Sequence, residues 1–171
     1  TIQRVYYDIR KTETGGDAQR LVQVVENTIS LGGSTFTLSV QYIFRKMDDV
    51  YVLEDGKHVK KQRVATVIET YEGLFTQGFD AIGKFQQAFL TQVQKDYLVI
   101  DDGKLKHVSA YYEIGLLDKP ISMQYTYKEF NSQDNKIYTY VDTYEFGMDE
   151  AISKQKIWKE FDGKKFSYLK D

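Results

Sequence analysis

The sequence predicts a mainly β domain, an antiparallel meander of about ten strands forming a barrel or curved half-barrel with one mid-chain helix (79-95) packed across it. Three observations carry this. The chain of 171 residues holds 14 Tyr and 10 Phe but a single Pro, the composition of half-buried pleated surfaces with uninterrupted ladders. Apolar residues recur at every second position through most of it. Asp-Gly follows a strand-like run three times, in "VLEDGKHV", "VIDDGKLK" and "KEFDGKKF", and Asp-Gly between such runs is the strongest short-range hairpin signal.

Taken in order, weak alternation marks strands at 3-10 and 20-29. Phe36, Leu38, Val40, Tyr42 and Phe44 then share one parity, with Thr37, Ser39 and Gln41 on the other. Weaker alternations follow at 49-54, 58-71, 97-101 and 105-114. Ile121, Met123, Tyr125 and Tyr127 alternate with Ser122, Gln124, Thr126 and Lys128, and Tyr138, Tyr140, Tyr144 and Phe146 share a parity in the next run. Runs at 155-161 and 165-169 complete the meander. Between 79 and 95 the spacing changes: Phe79, Ile82, Phe85, Phe89 and Val93 recur every three or four positions behind a possible Asp80 cap, which predicts the helix.

If each Asp-Gly occupies the two central positions of a type I′ turn, the facing residues follow. Glu54 faces Lys57, Asp49 faces Gln62 and Asp48 faces Arg63; Asp101 faces Lys104; Glu160 faces Lys165. Several of these join opposite charges, worth ~0.2–1 kcal/mol each. The repeated triplet is thus a turn device. A calcium loop would need several closely spaced oxygen ligands, which none of the three supplies.

No internal repeat or linker divides residues 1-171, so one domain is expected. A chain of this length can bury around 70 % of the surface its unfolded form exposes. Net charge is −2, too small to concentrate nucleic acid or anionic lipid, so no nucleic-acid partner is expected. No apolar run is long enough for a membrane-spanning helix. Cysteine is absent, which removes disulfides and thiolate chemistry. The chain starts at Thr1 without a signal-peptide pattern, and a processed chain with an exported or cell-envelope location is expected, a cytoplasmic one remaining open.

Enzyme chemistry finds little support. His58 and His107 follow two of the turns and form no ligand-spaced set, and no P-loop, dinucleotide fingerprint or nucleophile elbow is present. Pairs such as Glu113 with Asp142 or Glu129 with Glu145 would be needed for a carboxylate hydrolase. No metal, cofactor or catalytic residue is expected. The basic run Lys57 to Arg63 reads as a solvated hairpin flanked by Glu54 and Asp48.

The tyrosines point elsewhere. Tyr111, Tyr112, Tyr125, Tyr127, Tyr138, Tyr140 and Tyr144 crowd three successive strands, and a phenol's polar tip suits a partly wet face better than a closed core. The expected function is a non-enzymatic binding domain that holds an apolar or amphipathic small molecule on this concave sheet. The expected site comprises Phe36, Tyr42, Tyr112, Met123, Tyr125 and Tyr127, with Phe85 and Phe89 from the helix. The alternative is a protein-protein contact through the same face or an edge strand. A helix-covered half-barrel is also the architecture of lipoprotein carriers, a likeness of architecture alone. The lipocalin G-x-W is missing: the single tryptophan sits in "QKIWKEF".

Overall fold

The computed structural model describes residues 2–10, 20–75, 89–148, 150–161 and 166–170. These form ten strands: β1 (Ile2–Arg10), β2 (Arg20–Leu31), β3 (Ser34–Glu54), β4 (Lys57–Phe75), β5 (Phe89–Asp101), β6 (Lys104–Glu113), β7 (Leu116–Asn131), β8 (Lys136–Glu145), β9 (Ser153–Phe161) and β10 (Phe166–Lys170). All pair antiparallel in a single sheet, each with its neighbours in sequence. The meander is as expected. It does not close into a barrel, because β1 and β10 are its two edges.

Turn chemistry sets the register. Asp55 and Gly56 have φ of 47° and 74°, Asp102 and Gly103 of 52° and 70°, the left-handed pair a type I′ turn requires. Glu54 lies opposite Lys57, Asp48 opposite Arg63 and Asp101 opposite Lys104. The charges, however, pair away from the facing positions: Glu54 meets Lys61, four residues beyond Lys57, at 3.3 Å, and Asp101 meets Lys106, two beyond Lys104, at 2.7 Å. The third turn departs from expectation. Phe161 faces Phe166 and Glu160 faces Ser167, not Lys165, so four residues join these strands; Asp162 to Lys165 themselves lie outside the described residues.

The expected helix over 79-95 is not supported. Residues 89 to 95 belong to β5, and 79 to 88 lie outside the described residues. The spacing of four between Phe89 and Val93 fits both periods, and Val93, Lys95, Tyr97 and Val99 are all buried on one parity, which is a strand's pattern. Lys95 concealed that alternation. It is 8 % exposed, with its ammonium 3.0 Å from Asp48 and 4.7 Å from the Tyr112 ring centroid.

β3 also differs from its simple reading. A register shift against β2 falls between Ser39 and Thr37, making Leu38 an extra residue that reverses the faces. Thr37 is buried at 2 % exposure while Leu38 is exposed at 38 %. Phe36 is therefore cut off from the parity of Val40, Tyr42 and Phe44.

One face of the sheet makes the core: Val22, Val24, Val40, Tyr42, Phe44, Val67, Val93, Tyr97, Val108, Ala110, Tyr112, Met123 and Tyr125. A single sheet can bury one face only if something covers it. The cover is the distal part of the β3–β4 hairpin. β3 and β4 pair along their length, but β4 pairs with β5 only from Thr66 opposite Asp96 to Glu72 opposite Phe89. Beyond that the hairpin leaves its neighbour and crosses the inward face. The Tyr97 hydroxyl of β5 donates to the Tyr51 carbonyl. The Tyr51 ring meets Phe146 edge-on at 4.8 Å, past the end of β8, and His58 stacks on the same Phe146 at 5.5 Å. Val50, Tyr51 and Val52 are buried in succession, which alternation forbids unless both faces of the strand are covered.

Candidate binding site on the open end of the inward face

The inward face divides into a sealed part and an open part. Tyr42, Tyr112, Met123 and Tyr125, four of the expected site residues, lie in the sealed part with no more than 4 % exposure. Burial raises the hydroxyl pKa of Tyr112 and Tyr125; the charges of Asp48 and Asp101 respectively add to it, and for Tyr125 the backbone of Leu53 in the crossing hairpin partly offsets it. These phenols stay neutral and act as packing. Phe36 is half-buried at the far end of the sheet. Phe89 is the first residue of β5, and Phe85 lies outside the described residues.

Tyr127 is the expected site residue that reaches the open part. Along β7 it continues the row of Met123 and Tyr125, and its partner across the ladder is Tyr140 of β8. Tyr138, two residues from Tyr140 on the same face, lies opposite Trp158 of β9. The four rings form a run over three strands: Tyr127 stacks on Tyr140 with centroids 4.8 Å apart, Tyr140 to Tyr138 is 6.4 Å, and Tyr138 to Trp158 is 6.4 Å. All four residues are half-buried.

Lysines sit over these rings. Lys104 and Lys106 of β6 approach Tyr127 at 5.2 and 4.6 Å, Lys156 approaches Tyr138 at 4.3 Å and Tyr140 at 5.9 Å, and Lys136 approaches Trp158 at 5.5 Å. Each contact is worth ~0.5–1 kcal/mol at such exposure. The lysines differ in what else they meet. Lys104 is ion-paired with Glu129 and Lys106 with Asp101. Among the described residues, Lys136 and Lys156 have no carboxylate within ion-pair distance.

The ring run is fixed by the β7–β8 turn. Asn131 Oδ1 accepts from the Gln133 N–H at 2.9 Å and Asp134 Oδ1 from the Lys136 N–H at 3.1 Å, while Asn135 takes φ of 57°. Asp134 also accepts from the Tyr138 hydroxyl. Beside the rings lies a groove of about 340 Å³, lined by Glu129, Asn131, Ser132, Gln133, Tyr138, Tyr140 and Lys156 among others. It offers ring faces, carboxamides and the Lys156 ammonium, which has no carboxylate partner among the described residues.

Sequence reasoning placed Tyr138 and Tyr140 in the tyrosine-rich region but did not select them, and it missed Trp158 and the lysines. The signal was present. "KIY" at 136-138 and "KIW" at 156-158 put a lysine and an aromatic two apart, hence on one face of a strand, in adjacent strands.

The carboxylate pairs needed for hydrolysis are not assembled. Glu129 faces Tyr138 and Glu145 faces Ser122, at opposite ends of β8. Glu113 ends β6 opposite Leu116, whereas Asp142 lies opposite Tyr125. The buried Glu26 is occupied by Arg4, 2.6 Å away, and by the Thr37 hydroxyl. No group of acidic or histidine side chains among the described residues is arranged to hold a metal. No helix of the described residues is long and apolar enough to cross a membrane. Comparison with protein-family models, with curated proteins and with solved structures finds no match.

Proposed function

We propose that this chain is a non-enzymatic binding domain that holds an amphipathic small molecule on the run Tyr127, Tyr140, Tyr138 and Trp158. The observation that carries the reading is the contrast within one face. The same parity that is packed shut under the hairpin leaves four rings half-buried at the other end, two of them, Tyr138 and Tyr140, lining a groove. Sites for small molecules combine apolar and aromatic walls with a few placed polar groups, and Asn131, Gln133 and Lys156 are such groups here.

A second reading is a protein contact at the sheet edge. What favours it is β1, where Val5, Tyr7 and Ile9 are exposed in an alternating row on an edge strand. An edge of this kind is a template for strand addition.

Native mass spectrometry of the purified chain, with a denatured extract run in parallel, separates the two. A monomer with a bound small molecule that is lost on Tyr138→Ala/Tyr140→Ala substitution supports the first reading. A ligand-free dimer that dissociates on Tyr7→Lys substitution favours the second and overturns the first.

A further inference from the structure

The binding reading leaves open the chemistry of the ligand's polar end. The strand register narrows it. Tyr138 and Trp158 form a cross-strand pair; Lys136 precedes Tyr138 by two on β8, and Lys156 precedes Trp158 by two on β9. Because β8 and β9 are antiparallel, the two lysines bracket the ring pair from opposite ends, yet both lean inward onto it, Lys136 to 5.5 Å from Trp158 and Lys156 to 4.3 Å from Tyr138. Two cations are thus drawn onto one ring pair, and neither is ion-paired among the described residues; Glu160, which faces Lys136 across the ladder, has its side chain outside them.

A third donor is present. Trp158 Nε1 is enclosed and has no hydrogen-bond acceptor among the described residues. An indole N–H can only donate, and a buried donor without an acceptor is costly enough that native structures rarely leave one. Lys136 lies over the same indole, 5.5 Å from its ring centroid. Lysine ammoniums and an indole N–H share one complement, an oxygen anion. Three nearby carboxylates are engaged elsewhere: Glu129 is held by Lys104, Asp101 by Lys106, and Asp134 by the Tyr138 hydroxyl and the Lys136 backbone N–H. Asp142 lies opposite Lys154, two residues from Lys156 on β9.

We infer that the polar end of the bound molecule is an oxygen anion, a phosphate, sulfate or carboxylate, received by Lys156 in the groove with Lys136 as a second cation across the Tyr138–Trp158 pair. The apolar part then lies along Tyr138, Tyr140 and Tyr127. This rests on the binding reading given above. A nucleic acid is the less suitable anion, because a polyanion needs a continuous basic track and two of the four lysines over these rings, Lys104 and Lys106, are already ion-paired.

The test uses the single tryptophan as its own reporter. Trp158 emission is followed while the full chain is titrated with dodecyl phosphate, with dodecyl maltoside and with inorganic phosphate, each below its micelle concentration where one exists. The expected result is a midpoint for dodecyl phosphate about tenfold or more below that for dodecyl maltoside, the least that one charged hydrogen bond supplies. Inorganic phosphate should bind far more weakly than either. Lys156→Gln should remove most of the difference and Lys136→Gln part of it, while the maltoside midpoint stays unchanged and shows that the variants are folded. Equal midpoints for the phosphate and maltoside detergents would overturn the anion seat and leave the amphipath reading standing. No response to either detergent would overturn both. Inorganic phosphate binding as tightly as dodecyl phosphate would overturn the assignment of the rings to the ligand's apolar part.

Discussion

Lys95 and Asp48 show how a charge is kept inside this sheet. Asp48 receives Lys95 at 3.0 Å and Lys46 at 3.6 Å, and the Lys95 ammonium also lies over Tyr112. Removing one member of an enclosed pair strands the other. Asp48→Ala takes the carboxylate from the buried Lys95 ammonium and should cost ~2–4 kcal/mol in urea unfolding. Lys95→Met, which keeps the apolar stem, should cost less. Glu54→Ala, which breaks only the exposed pair with Lys61, should cost ~0.5 kcal/mol or less. A result in which Asp48→Ala and Glu54→Ala are equally mild would deny that the 46–48 segment is part of the core.

Residues were also where sequence and structure parted. Alternation assigned Leu38 to the core, and one extra residue in the ladder handed that position to Thr37. Lys95 read as the end of an apolar run because its partner, Asp48, lies two strands away. A period of two states which face a residue occupies; it does not state which charges that face can accommodate.

Among the elements, the hairpins at Asp55-Gly56 and Asp102-Gly103 were the most legible, because there the left-handed pair sets turn type and register; the third Asp-Gly stands in a longer connection and did not set the expected register. Gly103 tests that link. At φ of 70° a Cβ meets nothing within 4 Å, so Gly103→Ala has no steric clash with neighbours and should cost only the left-handed strain of ~1–2 kcal/mol, read as a shift in the urea midpoint. Gly103→Asn should cost less, since Asn tolerates that region. Residues 89–95 were misread as helix for a physical reason: positions four apart satisfy a helix and a strand equally, and only the continuation through Lys95 and Tyr97 distinguishes them.

The crossing hairpin is the element that sequence could not show. Its contact with the end of β8 centres on His58, whose ring stacks on Phe146, meets Tyr144 edge-on and accepts from the Gly147 N–H at 3.4 Å through Nδ1. Burial lowers the His58 pKa below its ordinary 6.5, so the folded chain favours the neutral ring. The unfolded chain takes up a proton as pH falls through 6.5 while the folded chain resists. The stability this contact contributes is thus complete above 6.5 and is lost as pH falls through the lower folded value. Unfolding measured across that range should show a loss on acidification that is smaller in His58→Gln. Identical pH slopes in the two chains would remove His58 from the contact.

At the scale of the whole molecule, each strand pairs with its neighbours in sequence, so the topology was readable as a succession of alternations and turns. Curvature was not. Alternation identifies one face of each strand, and the same tyrosine-rich face proved to be closed core at Tyr42, Tyr112 and Tyr125 and half-open at Tyr127, Tyr138 and Tyr140. What separates them is the hairpin that leaves β5 after Thr66 and comes to rest against Phe146. Where it lies, phenols are packing; where it does not, the rings of Tyr127, Tyr138, Tyr140 and Trp158 stay half-buried, and it is there that we propose the ligand binds.

That division is the central claim, and tyrosine-selective NMR tests it most directly. With ring carbons labelled, dodecyl phosphate should move the resonances of Tyr127, Tyr138 and Tyr140 in a saturable way and leave those of Tyr42, Tyr112 and Tyr125 in place. Saturable shifts confined to the buried three, or no saturable shift at any tyrosine, would contradict the account.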